Sequence, residues 1–169
     1  MKKTLLVGIA TFFLFASVGN VFGEEMAKEG TGSGNGFASG TWKGYPLDEE
    51  TQFVTWEQKG VSLSDDPKSP FHNMSQNCAG VQLWDKGIGT TFGYCIGLAP
   101  DGDKTLFEVK QENLKPGPGL KKGTWKYIGG TGKFVGIEGG GEYTNYGIRP
   151  VEDGTYQNVG KNTGSWKIP

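Results

Sequence analysis

Arginine, histidine and cysteine are all scarce in this 169-residue chain, and each scarcity removes a class of chemistry. Arg149 is the single arginine and no lysine run compensates for it, so the electrostatic footprint of a nucleic-acid-binding surface is missing. His72 is the single histidine, which leaves no multi-histidine metal site and no alternative base for a histidine dyad. No serine stands in a nucleophile elbow. No apolar stretch is long enough to cross a bilayer comfortably, and none beyond the N-terminal segment shows a helical 3.6-residue apolar period.

The N-terminal segment is the exception to this polarity. Lys2 and Lys3 precede an apolar stretch from Leu5 to Val18, and Val21-Phe22-Gly23 stands before Glu24 and Glu25. A charged start, a short apolar middle and small or neutral residues before the cut are the marks of a cleavable secretory signal, here residues 1–23. Cleavage leaves no membrane anchor and implies a periplasmic or secreted protein. The signal takes two of the 17 basic residues and none of the 18 acidic ones, so the mature chain is acidic. Residues 24–37 are polar and rich in Gly and Ser and read as a flexible leader, which leaves 38–169 as one domain.

Glycine is abundant, at 30 residues, and five tryptophans and six tyrosines accompany it. Period-2 runs bounded by Gly, Pro, Asn and Asp predict strands near 38–47, 51–61, 76–85, 88–99, 104–112, 122–128, 136–146 and 155–168. Eight short strands without a helix indicate an all-β fold, an eight-stranded antiparallel β-barrel of calycin-like form, because closure removes exposed edges. The longest connection, Ser62 to Ser75, reads as a surface loop that carries His72.

The two cysteines test this reading. With Lys86-Gly87 as a two-residue hairpin loop, Asp85 faces Ile88 and Cys78 falls opposite Cys95, on a non-hydrogen-bonded pair suited to a cross-strand disulfide. The same register puts Cys78, Gly80, Gln82 and Trp84 on one face. Asn77, Ala79, Val81 and Leu83 lie on the other, with Thr90, Phe92, Tyr94 and Ile96, and this more apolar face is expected inside. A type I′ turn centred on Asp101-Gly102 would then set Phe92, Tyr94, Ile96 and Leu98 against Gln111, Val109, Phe107 and Thr105. Alternation adds Val54, Trp56, Trp125, Tyr127, Ile137 and Tyr143 to the interior, with Trp42, Trp166 and Asn145.

Other motifs resolve into turns and solvated faces. Asp101-Gly102-Asp103 lacks the further oxygen ligands of a calcium loop. Gly129-Gly130-Thr131-Gly132-Lys133 lacks the Walker spacing and is followed by Phe134. Glu138 and Glu142 alternate away from Tyr143. No metal site is expected.

The segment from Lys122 to Tyr143, with Gly130-Thr131-Gly132-Lys133-Phe134 and Gly136 before a glycine-rich strand, resembles allene oxide cyclase-like and dirigent-like barrels. The cysteine pair ahead of an Asp-Gly-Asp turn is similar to exported bacterial relatives of that kind. The resemblance covers about the last 90 residues. It implies an eight-stranded barrel whose cavity holds a reactive apolar substrate and steers its ring closure or coupling, with a carboxylate inside in the cyclases. The face assignment above places no carboxylate inside. The reading favoured is therefore binding of a small apolar or aromatic ligand by Trp56, Tyr94, Trp125, Tyr127 and Tyr143, with Asn77 and Gln111 orienting it. A cofactor-free cyclase, isomerase or coupling guide is the alternative, and a filled barrel that acts through its outer surface is the third. No cofactor is expected, and any protein partner would be a further copy of the chain.

Overall fold

Side chains alternate across a strand, so a run with glycine at every second position makes a strand with one bare face. Residues 30–36 are such a run, with Gly30, Gly32, Gly34 and Gly36 in step and Gly40 and Gly44 following in phase. The computed structural model describes residues 26–117 and 119–169, and there the run lies in the first strand, β1 (Glu29–Pro46). Residues 29–37 are thus strand and not leader. Their linker-like composition conceals an alternation in which the bare face points inward. The expected signal, residues 1–23, lies outside the described residues.

Seven more strands follow: β2 (Thr51–Ser64), β3 (Met74–Asp85), β4 (Ile88–Leu98), β5 (Lys104–Leu114), β6 (Gly119–Gly130), β7 (Glu138–Ile148) and β8 (Thr155–Lys167). Each pairs antiparallel with the next, and β8 returns to β1 to close the barrel. The expected all-β, eight-stranded antiparallel barrel is the fold. A short 3₁₀ turn, Gly132–Phe134, joins β6 to β7.

The β3–β4 hairpin follows the sequence reading. Lys86 and Gly87 both take positive φ, 49° and 74°, as a type I′ turn requires, and Cys78 pairs with Cys95 in a disulfide. The β4–β5 hairpin does not. Ala99 N–H donates to Asp103 C=O at 2.9 Å across a loop of three residues, not two, so Tyr94 faces Glu108 and Ile96 faces Leu106. Val109 and Phe107 instead pair with Gly93 and Cys95.

A one-residue slip sends a whole set of side chains to the opposite face. Here the disulfide face is the interior, and both cysteines are buried at 3% exposure. The more apolar face is the outer wall, where Leu83 is 51%, Tyr94 47% and Ile96 48% exposed. Asn77 is exposed as well. The expectation that Asn77 and Tyr94 point inward is therefore corrected. On β5, however, Thr105, Phe107, Val109 and Gln111 do point inward, as expected.

One end of the barrel is packed shut. Phe134 is fully buried, and Met74, Ala99, Tyr127, Ile137 and Ile168 cluster with it. Phe71, from the long β2–β3 loop, seats in this cluster with ring centroids 5.4 Å from Phe134, 5.6 Å from Tyr127 and 5.1 Å from Trp166. The loop that reads as a surface connection is thus also the floor, and His72 beside it hydrogen-bonds through Nδ1 to the Ser64 carbonyl at 2.9 Å. At the same end Lys133 pairs with Asp101 at 2.5 Å and its backbone N–H donates to Asp103 at 2.9 Å. The Asp-Gly-Asp turn is thereby tied to the Gly-Thr-Gly-Lys-Phe corner.

The inward glycines are not equivalent, and this separates two substitutions. A methyl group on Gly30 would stand 2.7 Å from the Trp166 ring, whereas one on Gly36 meets nothing closer than 3.7 Å. Gly30→Ala is expected to destabilise the barrel by about 1–3 kcal/mol through overpacking. Gly36→Ala, on the same face of the same strand, should be neutral or stabilise by about 0.5 kcal/mol, because it restricts the unfolded chain. Guanidinium denaturation midpoints of the two variants check this.

Candidate functional site

Interior residues of a closed barrel form horizontal rows along the strand pairings, and the rows here alternate ring and glycine. Trp56 pairs with Gly80, which pairs with Gly93, and a side chain at Gly93 would stand 2.5 Å from the Trp56 indole. Trp125 pairs with Gly141, which pairs with Gly164, and its indole covers Gly164. Tyr143 lies over Gly123, Tyr156 over Gly40 and Trp84 over Gly89, each with its cross-strand partner. The rings lie along the wall because the opposing residue has no side chain, and the centre of the barrel stays open as a result.

The opening is a cavity of about 1130 Å³, slightly above the range that ligand pockets of proteins usually occupy. Its rim is formed by the β1–β2, β3–β4, β5–β6 and β7–β8 connections, including Asp48, Lys86, Pro116 and Pro150. Its depth ends on Phe71, Met74, Tyr127 and Trp166. Of the residues expected to hold a ligand, Trp56, Gln111, Trp125, Tyr127 and Tyr143 line it. Asn77 and Tyr94 do not, for the register reason given above. The disulfide also lines it, as an apolar patch of wall.

Several lining residues were not singled out from the sequence. Trp84 and Gln82 lie on the face that sequence reasoning turned outward, Gln58 shares the inward phase expected of Val54 and Trp56, and Tyr156, Asn158 and Lys121 come from strands with no register anchor. The signal that finds them is the period-2 glycine pattern, since each shares a face with inward glycines. Asn158 donates to Gln58 at 3.3 Å, and the Tyr156 hydroxyl donates to the Glu57 carbonyl at 3.2 Å.

The electrostatics of the lumen are one-sided. No carboxylate stands on the inward face of any strand: Glu108, Glu138 and Glu142 are outside the lining, and Glu108 pairs with Lys110 at 3.4 Å. The carboxylates at the rim belong to the β1–β2 connection. There Asp48 accepts the Glu50 and Thr51 N–H groups at 2.8 and 2.6 Å, which hold it below the usual carboxylate range. The buried side-chain atoms without a hydrogen-bond partner are all donors: the indole N–H groups of Trp56, Trp125 and Trp166 and the amide nitrogen of Gln111. A buried unpaired donor costs about 1–3 kcal/mol, which is the energy an acceptor placed there would recover. Among the described residues no group of His, Cys, Asp and Glu could hold a metal ion.

Tyr127 and Tyr143 add further donors, whereas the Tyr156 hydroxyl is committed to the Glu57 carbonyl. Burial pushes the hydroxyls of Tyr127, Tyr143 and Tyr156 well above the ordinary tyrosine range, because the phenolate would lose its hydration. They remain neutral at any physiological pH.

No family model matches the chain, and no curated protein matches it by sequence. Among solved structures, a pterocarpan synthase dirigent protein superposes with a TM-score of 0.50, covering 88% of this chain and 99% of that one. The fold is that of a dirigent-type barrel. Sequence identity is 9%, so the likeness speaks for the architecture and not for the chemistry.

The tyrosines give this site a pH signature. Above pH 10 or so the unfolded chain releases phenolic protons that the folded barrel keeps, so stability should fall as pH rises through that range. Absorbance near 295 nm in a rapid pH jump should leave part of the phenolate signal missing until guanidinium is added. Full ionisation of all six tyrosines in the folded state would contradict the buried placement.

Proposed function

We propose that this barrel is an exported binding protein that takes a small apolar or aromatic ligand into its lumen. The observation that carries the reading is the cavity itself, open at one end, closed by Phe71 and Phe134 at the other, and walled by indole and phenol rings. Flat apolar walls with amides and phenols set among them suit a ligand whose burial supplies the binding energy, at about 25 cal/mol per Å² of apolar surface removed from water. Trp56, Trp125, Tyr127 and Tyr143 supply the walls, and Gln111 together with Gln58, Gln82 and Asn158 supplies polar contacts. Export agrees with the N-terminal signal pattern and with the Cys78–Cys95 disulfide, a bond at home in an oxidising compartment.

The second reading is a cofactor-free cyclase or coupling guide of the allene oxide cyclase or dirigent type. The architecture shared with a protein named as a pterocarpan synthase favours it. In that case the chemistry would rest on conformational confinement and hydrogen-bond donation, since the lumen offers neutral phenols and amides and no carboxylate.

Titration with the neutral fluorophore phenylnaphthylamine tests the binding reading. One molecule per barrel is expected to bind, with a Kd on the order of 10 μM or tighter. Gln82→Trp, which places an indole in the lumen, should weaken it about tenfold or more, a loss of about 1.4 kcal/mol. Unsaturable binding, or binding indifferent to Gln82→Trp, would count against a lumenal site.

A further inference from the structure

Two strand lysines border the cavity, and of these Lys161 is exposed and out of phase with the inward residues of β8, whereas Lys121 lies on the inward face of β6. Lys121 is the second residue of β6 on that face, about 7 Å inside the rim at a strand rise of about 3.4 Å per residue. It makes no ion pair and no hydrogen bond among the described residues. A half-buried ammonium without a counter-ion is an unfavourable arrangement, and proteins normally pair such a charge. Burial alone holds its pKa below the ordinary lysine value.

The surroundings of Lys121 are those of an anion seat. Asn145 lies directly opposite it on β7, and Tyr143 lies one inward position deeper on the same strand, its hydroxyl kept protonated by burial. Gln111, with its buried and unpartnered amide nitrogen, lies on β5 one residue beyond the Lys110–Thr124 pair that joins β5 to β6. A cation, a phenol and two amides thus occupy neighbouring inward positions on three adjacent strands. The acidic rim residues Asp48, Glu49 and Glu50 sit between β1 and β2, across the closed barrel from β6, and do not neutralise it. Below Lys121 the wall is aromatic, with Trp125 and Tyr127 centroids 4.9 Å apart and Phe107 against both.

Resting on the binding reading above, we infer that the ligand is an apolar or aromatic acid. Its carboxylate, sulfonate or phenolate group seats on Lys121 near the mouth, with Asn145, Gln111 and Tyr143 as further donors. Its ring system extends down the Trp125, Phe107 and Tyr127 wall toward the floor.

Two probes that share one skeleton test this: anilinonaphthalene sulfonate, which carries the anion, and neutral phenylnaphthylamine, which lacks it. The sulfonate is expected to bind the wild-type protein about tenfold or more tightly than the neutral probe, the preference shrinking with added salt. Lys121→Met should remove that preference and leave the neutral probe's affinity unchanged, which also reports that the lumen is intact. Lys121→Arg should keep the preference. Equal affinity of the wild-type protein for the two probes would overturn the inference while leaving the binding reading standing. So would a preference that survives Lys121→Met. Failure of both probes to bind would overturn the lumenal site and the inference together.

Discussion

The barrel depends on laying inward aromatic rings over glycines of the neighbouring strands. Trp56 on Gly80 and Gly93, Trp125 on Gly164, Tyr143 on Gly123 and Trp166 on Gly30 are repeats of one packing unit around a closed wall. A ring laid along its row covers a bare stretch of partner backbone, and the glycine gains packing it cannot supply itself. The two residue types are therefore not separable. A side chain at the glycine would lift the ring off the wall into the lumen, and loss of the ring would leave backbone uncovered. Flat rings on the wall are also what keeps the centre open, so the packing unit that stabilises the barrel also creates the cavity.

That constraint explains the division of polarity. With rings and glycines occupying the interior, much of the aliphatic surface of β3 and β4 lies outside, at Val81, Leu83, Ile96 and Leu98. The inward faces of the strands are left with rings, neutral amides, a disulfide and the Lys121 ammonium, and the acids Asp48, Glu49 and Glu50 stay at the rim. A lumen of this kind offers hydrogen-bond donors against apolar walls and invites a ligand with apolar bulk and acceptor oxygens. The long β2–β3 loop completes the vessel by inserting Phe71 beneath Tyr127 and Trp166. The glycine-rich corner after β6 does the same from the other side, with Phe134.

Much of the fold was legible from residues. The cysteine spacing about Lys86-Gly87 set one hairpin register correctly, and turn residues marked every strand but β1 within about three positions at each end. The errors trace to two features. A three-residue loop at Pro100–Gly102 differs from a two-residue one by a single position, and that position reverses the inside and outside of β3 and β4. Apolar content pointed the same wrong way, since Val81, Leu83, Tyr94 and Ile96 outweigh the glycines and glutamines opposite them. Hence Asn77 and Tyr94 were placed inside and Gln82 and Trp84 outside. Composition likewise hid β1, because a Gly/Ser stretch reads as linker unless its period is counted. In each case the inward phase was written in the glycines, which mark the face that must make room.

Whether ligands enter the lumen or adhere to the apolar outer wall is the point on which this account stands. Intermolecular nuclear Overhauser effects between a bound apolar acid and the protein decide it directly. The account predicts contacts to the indoles of Trp56 and Trp125, to Tyr143 and to the Lys121 side chain, and none to Leu83, Tyr94 or Ile96. Contacts confined to those outer-wall residues, with the lumenal indoles silent, would contradict it.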